Sequence, residues 1–308
     1  MIRHWIIILN YNATSHCLRL VDALKDRGDY GLCVVDNRSD ANEYRSLEQA
    51  CLGLGGYVGE LDSRADHAAL ASAINSGQGL LLLRAAANLG YAGGNNLAMR
   101  ALLEIVGAGA QFLIVNPDII ITPDAATALL QCDAAICGPA VFEHYRQGIS
   151  TDGQRVDFST GFAAEDDTMV NCLSGCCLKL SGRALQDYGL LPENNFLYDE
   201  EVRYFERVHR QGGVPRYLDT VRVEHLGSST VGKHGFHYFY YIFRNRLRYY
   251  FEIAGPRYRQ PLRFLRLYTG WYLPVLYRAI RRGNWPGVHG LLLGAWHGIR
   301  RVDGPYRH

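Results

Sequence analysis

The chain has 308 residues, 48% of them hydrophobic and 20% charged, which excludes a disordered or collagen-like protein and suits one large folded domain with an appendage. The net charge of +2 is uneven: residues 233–308 hold fourteen Lys and Arg against only Glu252 and Asp303, a local +12 that leaves −10 on the first 232 residues. Apolar runs such as Trp5 to Leu9 are far shorter than the roughly 18 to 20 residues that cross a bilayer, and no signal-peptide h-region of about 7 to 15 residues is read.

In chain order, β-rich runs alternate with helical stretches. Strands are expected at Trp5 to Leu9, Leu32 to Val35, Leu80 to Leu83, Phe112 to Val115 and Ala134 to Cys137. Helices are expected at Ser15 to Asp26, Glu43 to Leu52, Asn96 to Val106 and Pro123 to Gln131, with Thr14 or Ser15 and Thr122 as caps. This alternation predicts an α/β fold with a mostly parallel sheet covered by helices on both faces. Strands at Met169 to Leu173, Cys176 to Leu180 and Val221 to His225, and a helix at Asp199 to Arg210, complete the body. Residues 236–253, 259–282 and 286–301 read as helices rich in Tyr, Trp, Leu and Arg, broken or kinked at Pro256, Pro274 and Pro286. Eight cysteines without a C-x-x-C pair are expected to be buried thiols in a reducing cytoplasm.

Ligands of open α/β sheets gather beyond the carboxyl ends of the strands, where this sequence is polar each time: Asn10 and Asn12, Asp36 and Asn37, Asn88 with Gly90, then Asn116 and Asp118. Asp36 suits either an Asx turn or hydrogen bonds to a ribose or base. Asn88 to Asn96, with Gly90 and Gly93, suits either a tight turn or a phosphate cradle. Asp118 suits a turn or a single hard cation bridging a diphosphate. Glu200 and Glu201 suit helix capping or a general base, and His225 leaves a strand as either a packed residue or a ligand.

Taken together, Ile8 to Asn12, Val34 to Asp40, Asn88 to Asn96, Val115 to Asp118, Phe196 to Val202 and His225 to Ser229 resemble the GT-A family 2 glycosyltransferases. They look most like the bacterial branch that includes the rhamnosyltransferases building cell-surface polysaccharides. Tyr241 to Tyr250 is similar to the tyrosine and Arg-Asn pattern of that branch, so the resemblance spans about residues 4 to 251. It implies a GT-A, Rossmann-like catalytic domain over residues 1–235 and a basic, aromatic-rich helical extension over 236–308. By position, Asp36 would contact the base or ribose above Asn10, and Asn88, Gly90, Gly93 and Asn96 would line the nucleotide and diphosphate. Asp118 would bind Mg2+ or Mn2+ where the family has the last Asp of D-x-D, the first being Asn116 here, and His225 would lie near the diphosphate. Glu201 would be the base, with Glu200 as competitor and Arg203 where an acid is often found.

The implied reaction is an inverting single displacement from a nucleoside-diphosphate sugar, dTDP-L-rhamnose above others, to a glycan or polyprenyl-linked acceptor. Such chemistry needs a base and a cation but no nucleophilic Cys or Ser. Two other readings compete: an inactive carbohydrate-binding or scaffold protein, prompted by Asn116 and Arg203, and an NAD(P)-dependent oxidoreductase, prompted by Gly53 to Gly59. No nucleic-acid module accompanies the basic tail, so no nucleic-acid partner is expected. The tail is expected to hold the enzyme on the anionic inner face of the plasma membrane through Phe264, Leu265, Leu267, Tyr268, Trp271 and Tyr272, with Arg259, Arg263, Arg266, Arg278, Arg281 and Arg282 supplying charge. Packing on the body or a homo-oligomer interface is the alternative.

Overall fold

Continuous apolar runs such as Trp5 to Leu9 have side chains for both faces of a sheet, which is what a parallel strand covered by helices on each side requires. The computed structural model, which describes residues 2–26, 29–61, 64–144, 150–151, 153–164, 169–227 and 235–306, uses them in that way. The first half alternates β1 (His4–Asn10), α1 (Thr14–Leu24), β2 (Gly31–Asp36), α2 (Ala41–Gly53), β3 (Tyr57–Glu60), α3 (Arg64–Asn75), β4 (Leu80–Arg84), α4 (Gly90–Val106) and β5 (Gln111–Val115). Then come β6 (Ile119–Ile120), α5 (Pro123–Gln131), β7 (Ile136–Glu143) and the short β8 (Ser150–Thr151), β9 (Val156–Asp157) and β10 (Phe162–Ala163). The body closes with β11 (Cys177–Ser181), α6 (Gly182–Tyr188), α7 (Glu200–Arg210) and β12 (Arg216–His225).

The main sheet runs β3-β4-β2-β1-β5-β11-β7-β12-β6, with β8 beside β7. Its first five strands are mutually parallel, β11 is antiparallel to both β5 and β7, and β12 is parallel to β7. Trp5 and Ile7 enter the core on one face and Ile6 and Ile8 the core on the other, all four fully buried. All eight cysteines are free, and all but Cys132 are buried.

Some expected elements differ. The pair β3 and α3, absent from the predicted pattern, fills the stretch between α2 and β4. Met169 to Leu173 is not a strand; only Cys172 bridges to Gln154. Its neighbour Asn171 bonds both backbone groups of Val156, at 2.7 and 2.9 Å, so a side chain takes the place of a ladder. Thr122 caps α5 through Ala125 N, whereas α1 has Ala13 at its cap and no side-chain cap.

The extension consists of α8 (Phe236–Tyr249), a π turn at Tyr250–Ala254, α9 (Gly255–Tyr258), α10 (Pro261–Arg281) and α11 (Trp285–Ile299). Pro256 and Pro286 start helices, and Pro274 lies inside α10 without ending it. The expected outward apolar face of α10 is corrected in part. Phe264 is buried and stacks on Tyr250 at 3.6 Å, and Trp271 stacks on Phe243 of α8 at 4.1 Å. Tyr268 and Tyr272 pack with the same cluster. The outward stripe is instead Leu262, Leu265, Leu273, Tyr277 and Ile280, a helical spacing on the other side of the same helix. No helix among the described residues is long and apolar enough to cross a membrane.

Candidate active site

The residues that follow β1, β2, β4 and β5 converge on one cavity of about 400 Å³. Its lining includes Tyr11 and His16, Asn37, Asn88 and Gly90, then Asn116 and Asp118, with Tyr91, Phe196 and Leu197 beside them and His237 and Tyr241 from α8.

Asn10 and Asp36 lie beneath this lining. Asn10 Nδ2 donates to Asp36 Oδ1 and to Ser39 Oγ, both at 3.2 Å, and Ser39 N donates to Asp36 Oδ2 at 3.3 Å. Arg84 Nε approaches Asp36 at 3.6 Å. The fully buried Asp36 thus joins the loops after β1 and β2, and its neighbour Asn37 is the residue that faces the cavity.

The expected loop at Asn88 to Asn96 is corrected to a helix start. Leu89 N donates to Asn37 Oδ1 at 2.9 Å, Gly90 N to Asn88 Oδ1 at 3.0 Å, and Tyr91 N to Phe196 O at 2.8 Å. These bonds use N–H groups that a phosphate cradle would leave open. Gly90 lines the cavity, with φ +72°, and a Cβ there would stand 2.3 Å from Phe196 O, so only glycine fits. Gly93 and Asn96 do not line the cavity; Gly93 packs under Leu89. Asn96 is fully buried and bonds Leu191 O and Glu193 Oε1, each at 2.8 Å.

Asp118 lines the cavity and His225, which does not, stands beside it, with His225 Nε2 3.1 Å from Asp118 Oδ2 and His225 Nδ1 4.0 Å from Glu143 Oε1. Burial disfavours the charged imidazole, but its bonds to Asp118 and Glu143 outweigh burial and raise His225 to about 9. Burial likewise works against the Asp118 carboxylate, and the bond to His225 overcomes it, so Asp118 falls below its ordinary value. The Asp118 carboxylate is a donor that Mn2+ and Mg2+ accept, and His225 could join it only by giving up the proton that its bonds to Asp118 and Glu143 hold. No group of three His, Cys, Asp or Glu that could hold a metal occurs among the described residues, so the remaining ligands would come from substrate and water. Ser228 and Ser229, quoted after His225 in the sequence, lie outside the described residues.

Glu200 and Glu201 open α7 directly after the cavity-lining Phe196 and Leu197. Phe196, Tyr198 and Asp199 all have left-handed φ, at +70°, +68° and +62°, a strained run that surrounding structure must hold. The holding element is α8. Asn245 Nδ2 donates to Leu197 O at 2.6 Å and Tyr198 O at 2.9 Å, and Arg248 Nη1 donates to Asn194 O at 2.8 Å. Arg244 donates to Asn195 O, and Arg246 binds Asp199 through two bonds of 2.6 and 3.1 Å. Burial and then the charge of Glu201 push Glu200 well above the carboxylate range; its Oε1 has no hydrogen-bond partner among the described residues. Burial and then Asp199 push Glu201 up to about 7, against the pull of Arg246. Both acids act on the buried hydroxyl of Tyr91. Arg203 turns away from the cavity and pairs with Glu252 at 2.9 Å, one of the extension's two acids.

Gly53 to Gly59 ends α2, turns, and enters β3 at the sheet edge, the reverse of the strand-to-helix context that a dinucleotide fingerprint needs. Asn37 stands out in the sequence only as a polar strand end, and Tyr11, His16 and Tyr91, which also line the cavity, carry no role there.

No protein-family model matches the chain, and no curated protein matches it. Solved structures do match in fold. GalNAc-T7, solved with UDP, GalNAc and Mn2+, superposes with a TM-score of 0.55 at 11% identity over 81% of this chain and 47% of its own. The mannosyltransferase PcManGT from Pyrobaculum calidifontis, solved with GDP-Man and Mn2+, gives 0.52 at 12% identity over 97% of this chain and 73% of its own. S. aureus TarS gives 0.50 at 13% identity over 88% and 44%. The chain therefore spans about half the length of GalNAc-T7 and of TarS. These neighbours are glycosyltransferases of the GT-A type, and the mixed, mostly parallel sheet of this chain has the GT-A fold.

Proposed function

We propose that this chain is a glycosyltransferase that moves a sugar from a nucleoside-diphosphate donor to a hydroxyl group, with inversion by single displacement. The observation that carries the reading is the convergence of Asn37, Asn88, Asn116 and Asp118, from three strand ends, on one cavity of about 400 Å³, a size that suits a small organic ligand. Two of the neighbours in fold were solved with nucleotides or nucleotide sugars and Mn2+. By the motif resemblance the donor is dTDP-L-rhamnose and the product a cell-surface polysaccharide.

Glu201 takes the acceptor proton onto its carboxylate. Its value of about 7 places it where a base is both ionised and strong enough at neutral pH, while Glu200 stays protonated behind it. The fixed loop from Asn194 to Asp199 sets the start of α7; Glu200 and Glu201 are not among the residues that line the cavity, and the base role comes from the motif resemblance. Asp118 and His225 would hold Mg2+ or Mn2+, which when bound supplies charge neutralisation for the departing diphosphate. Asn37 and Asn88 orient the nucleoside, with Asp36 and Asn10 fixing the loops that carry them.

Within residues 236–308, α8 supports the catalytic loop, and the outer faces of α10 and α11 attach to an anionic membrane surface, where a polyprenyl-linked acceptor would lie. Leu262, Leu265, Leu273, Tyr277 and Ile280, exposed along one side of α10, support this, since monomer surfaces seldom carry large contiguous apolar patches.

Thermal unfolding with dTDP-, UDP- and GDP-sugars, each with and without Mn2+, tests the reading. Metal-dependent stabilisation by one nucleotide sugar is expected. Stabilisation by NAD and by none of these would overturn it.

A further inference from the structure

The cavity has a wall that the proposed chemistry does not use. Pro305 and Tyr306, in the segment after α11, line it together with Phe196 and Tyr241. Three anchors fix this segment: Gly304 N donates to Asn194 O at 3.1 Å, Arg244 Nη1 to Gly304 O at 2.6 Å, and Tyr306 N to the Tyr241 hydroxyl at 2.8 Å. The Tyr306 ring is packed by Phe236, at 4.8 Å between centroids, and by Tyr240, at 5.0 Å. Tyr241 in turn lies 5.3 Å from Phe196. Tyr306, 65 positions after Tyr241, is therefore held through its main chain at the same cavity as Asn37 and Asn88.

An amide and rigid aromatic rings in one cavity suit a nucleobase, whose edge hydrogen-bonds and whose face stacks. Asn37 Nδ2 is spent on Asn88 Oδ1 at 3.0 Å and Gly90 O at 3.1 Å, so the edge contacts left are Asn88 Nδ2 and a second lone pair of Asn37 Oδ1. We propose that Tyr306, positioned by Tyr241, is a base-stacking residue of the donor pocket, so that the segment after the last helix completes the nucleotide site. The proposal rests on the nucleoside-diphosphate reading above. Stacking tolerates any base, which leaves the choice among bases to the amides.

Calorimetry on the full chain with Mn2+ separates base from phosphate by using dTDP, UDP and inorganic pyrophosphate as probes. Tyr306→Ala should weaken dTDP or UDP at least about fivefold, the lower range for one base–aromatic stack, and leave pyrophosphate unchanged. Tyr306→Phe should bind as the parent does, and Tyr241→Phe, which removes the anchor but keeps the ring, should fall between. Unchanged nucleotide affinity in Tyr306→Ala, an equal loss for pyrophosphate, or a Tyr306→Phe variant as weak as the alanine one would each overturn the stacking role. Failure of the unsubstituted chain to bind any nucleoside diphosphate would overturn the parent reading, and this one with it.

Discussion

Helices α8 and α10 are built from the same residues, Tyr, Phe, Leu and Arg, and end in opposite surroundings. In α8 the polar side chains go inward: Arg244, Asn245 and Arg248 are almost completely buried. In α10 only Phe264 and Ala279 are buried, and most of its arginines stay in solvent. What separates the two is the supply of partners. The strained loop from Asn194 to Asp199 presents carbonyls that no regular element uses, and Asp199 and Glu252 add carboxylates, so α8 can bury its cations with every bond made. Helix α10 meets one such acid, Asp157, which pairs with Arg263 at 3.0 Å. Among the described residues, the arginines of this extension therefore include one set that holds the loop before α7 and one that faces outward.

Removing one arginine from each helix tests that division, and the largest effect is expected here. Arg246→Met leaves Asp199 without its partner in a largely buried site, which should cost about 3 to 5 kcal/mol in urea unfolding. Arg266→Met, on the exposed side of α10, should change stability by less than about 0.5 kcal/mol. Equal losses would erase the distinction between the two helices.

The next effect is on turnover. Glu201→Gln should retain Mn2+-dependent nucleotide binding and lower kcat about 100-fold or more. A base raised to about 7 is ionised only above that value, so the parent rate should climb as pH rises through about 7, and the variant should lose the climb. The same group fixes the sign for stability. Because the folded state holds the proton more tightly than the ordinary 4.5, its contribution is complete below about 4.5 and is lost as pH rises through about 7. Urea midpoints should show that fall in the parent and not in Glu201→Gln. A larger kcat loss in Glu200→Gln would move the base by one position.

Asp118→Ala should act less broadly, removing the metal dependence of dTDP binding, at least about tenfold by calorimetry, while α8 and its loop stay intact. Retention of the full Mn2+ effect would move the cation elsewhere.

The body was more legible in sequence than the site. Strands β1, β2, β4 and β5 are buried on both faces, so their apolar runs are unbroken and their polar ends stand out. Asp118 and His225, which the fold brings within 3.1 Å, and the acids that open α7 stand at such element ends too. Asp36 and Asn96 lie off the cavity lining, bonded to Ser39 and Leu191, and in sequence a polar residue at a loop looks the same whether it meets ligand or ties two loops together. The early start of α4 is hidden by its glycines, which read as loop although Asn37 and Asn88 accept from Leu89 N and Gly90 N where the helix begins. Tyr306 carried no signal at all, since its place depends on Tyr241 across the fold.

The smallest effect concerns the outer face of α10 and α11. Leu265 and Tyr277 belong to its exposed stripe, and neither is part of the aromatic cluster against α8, so Leu265→Glu with Tyr277→Glu should leave urea unfolding nearly unchanged. If this face meets a membrane, the double variant should float several-fold less with anionic vesicles at low salt, because two carboxylates replace apolar groups at the interface. The nearby Arg266, Arg278, Arg281 and Arg282 would each add on the order of 1 kcal/mol close to such a surface, so parent binding should also weaken as salt rises and the Debye length shortens. Neutral vesicles should bind the parent poorly. Undiminished flotation of the double variant would show that this stripe is not the attachment face, and a parent chain that ignores anionic vesicles but forms a dimer broken by the same substitutions would assign the stripe to a second copy of the chain.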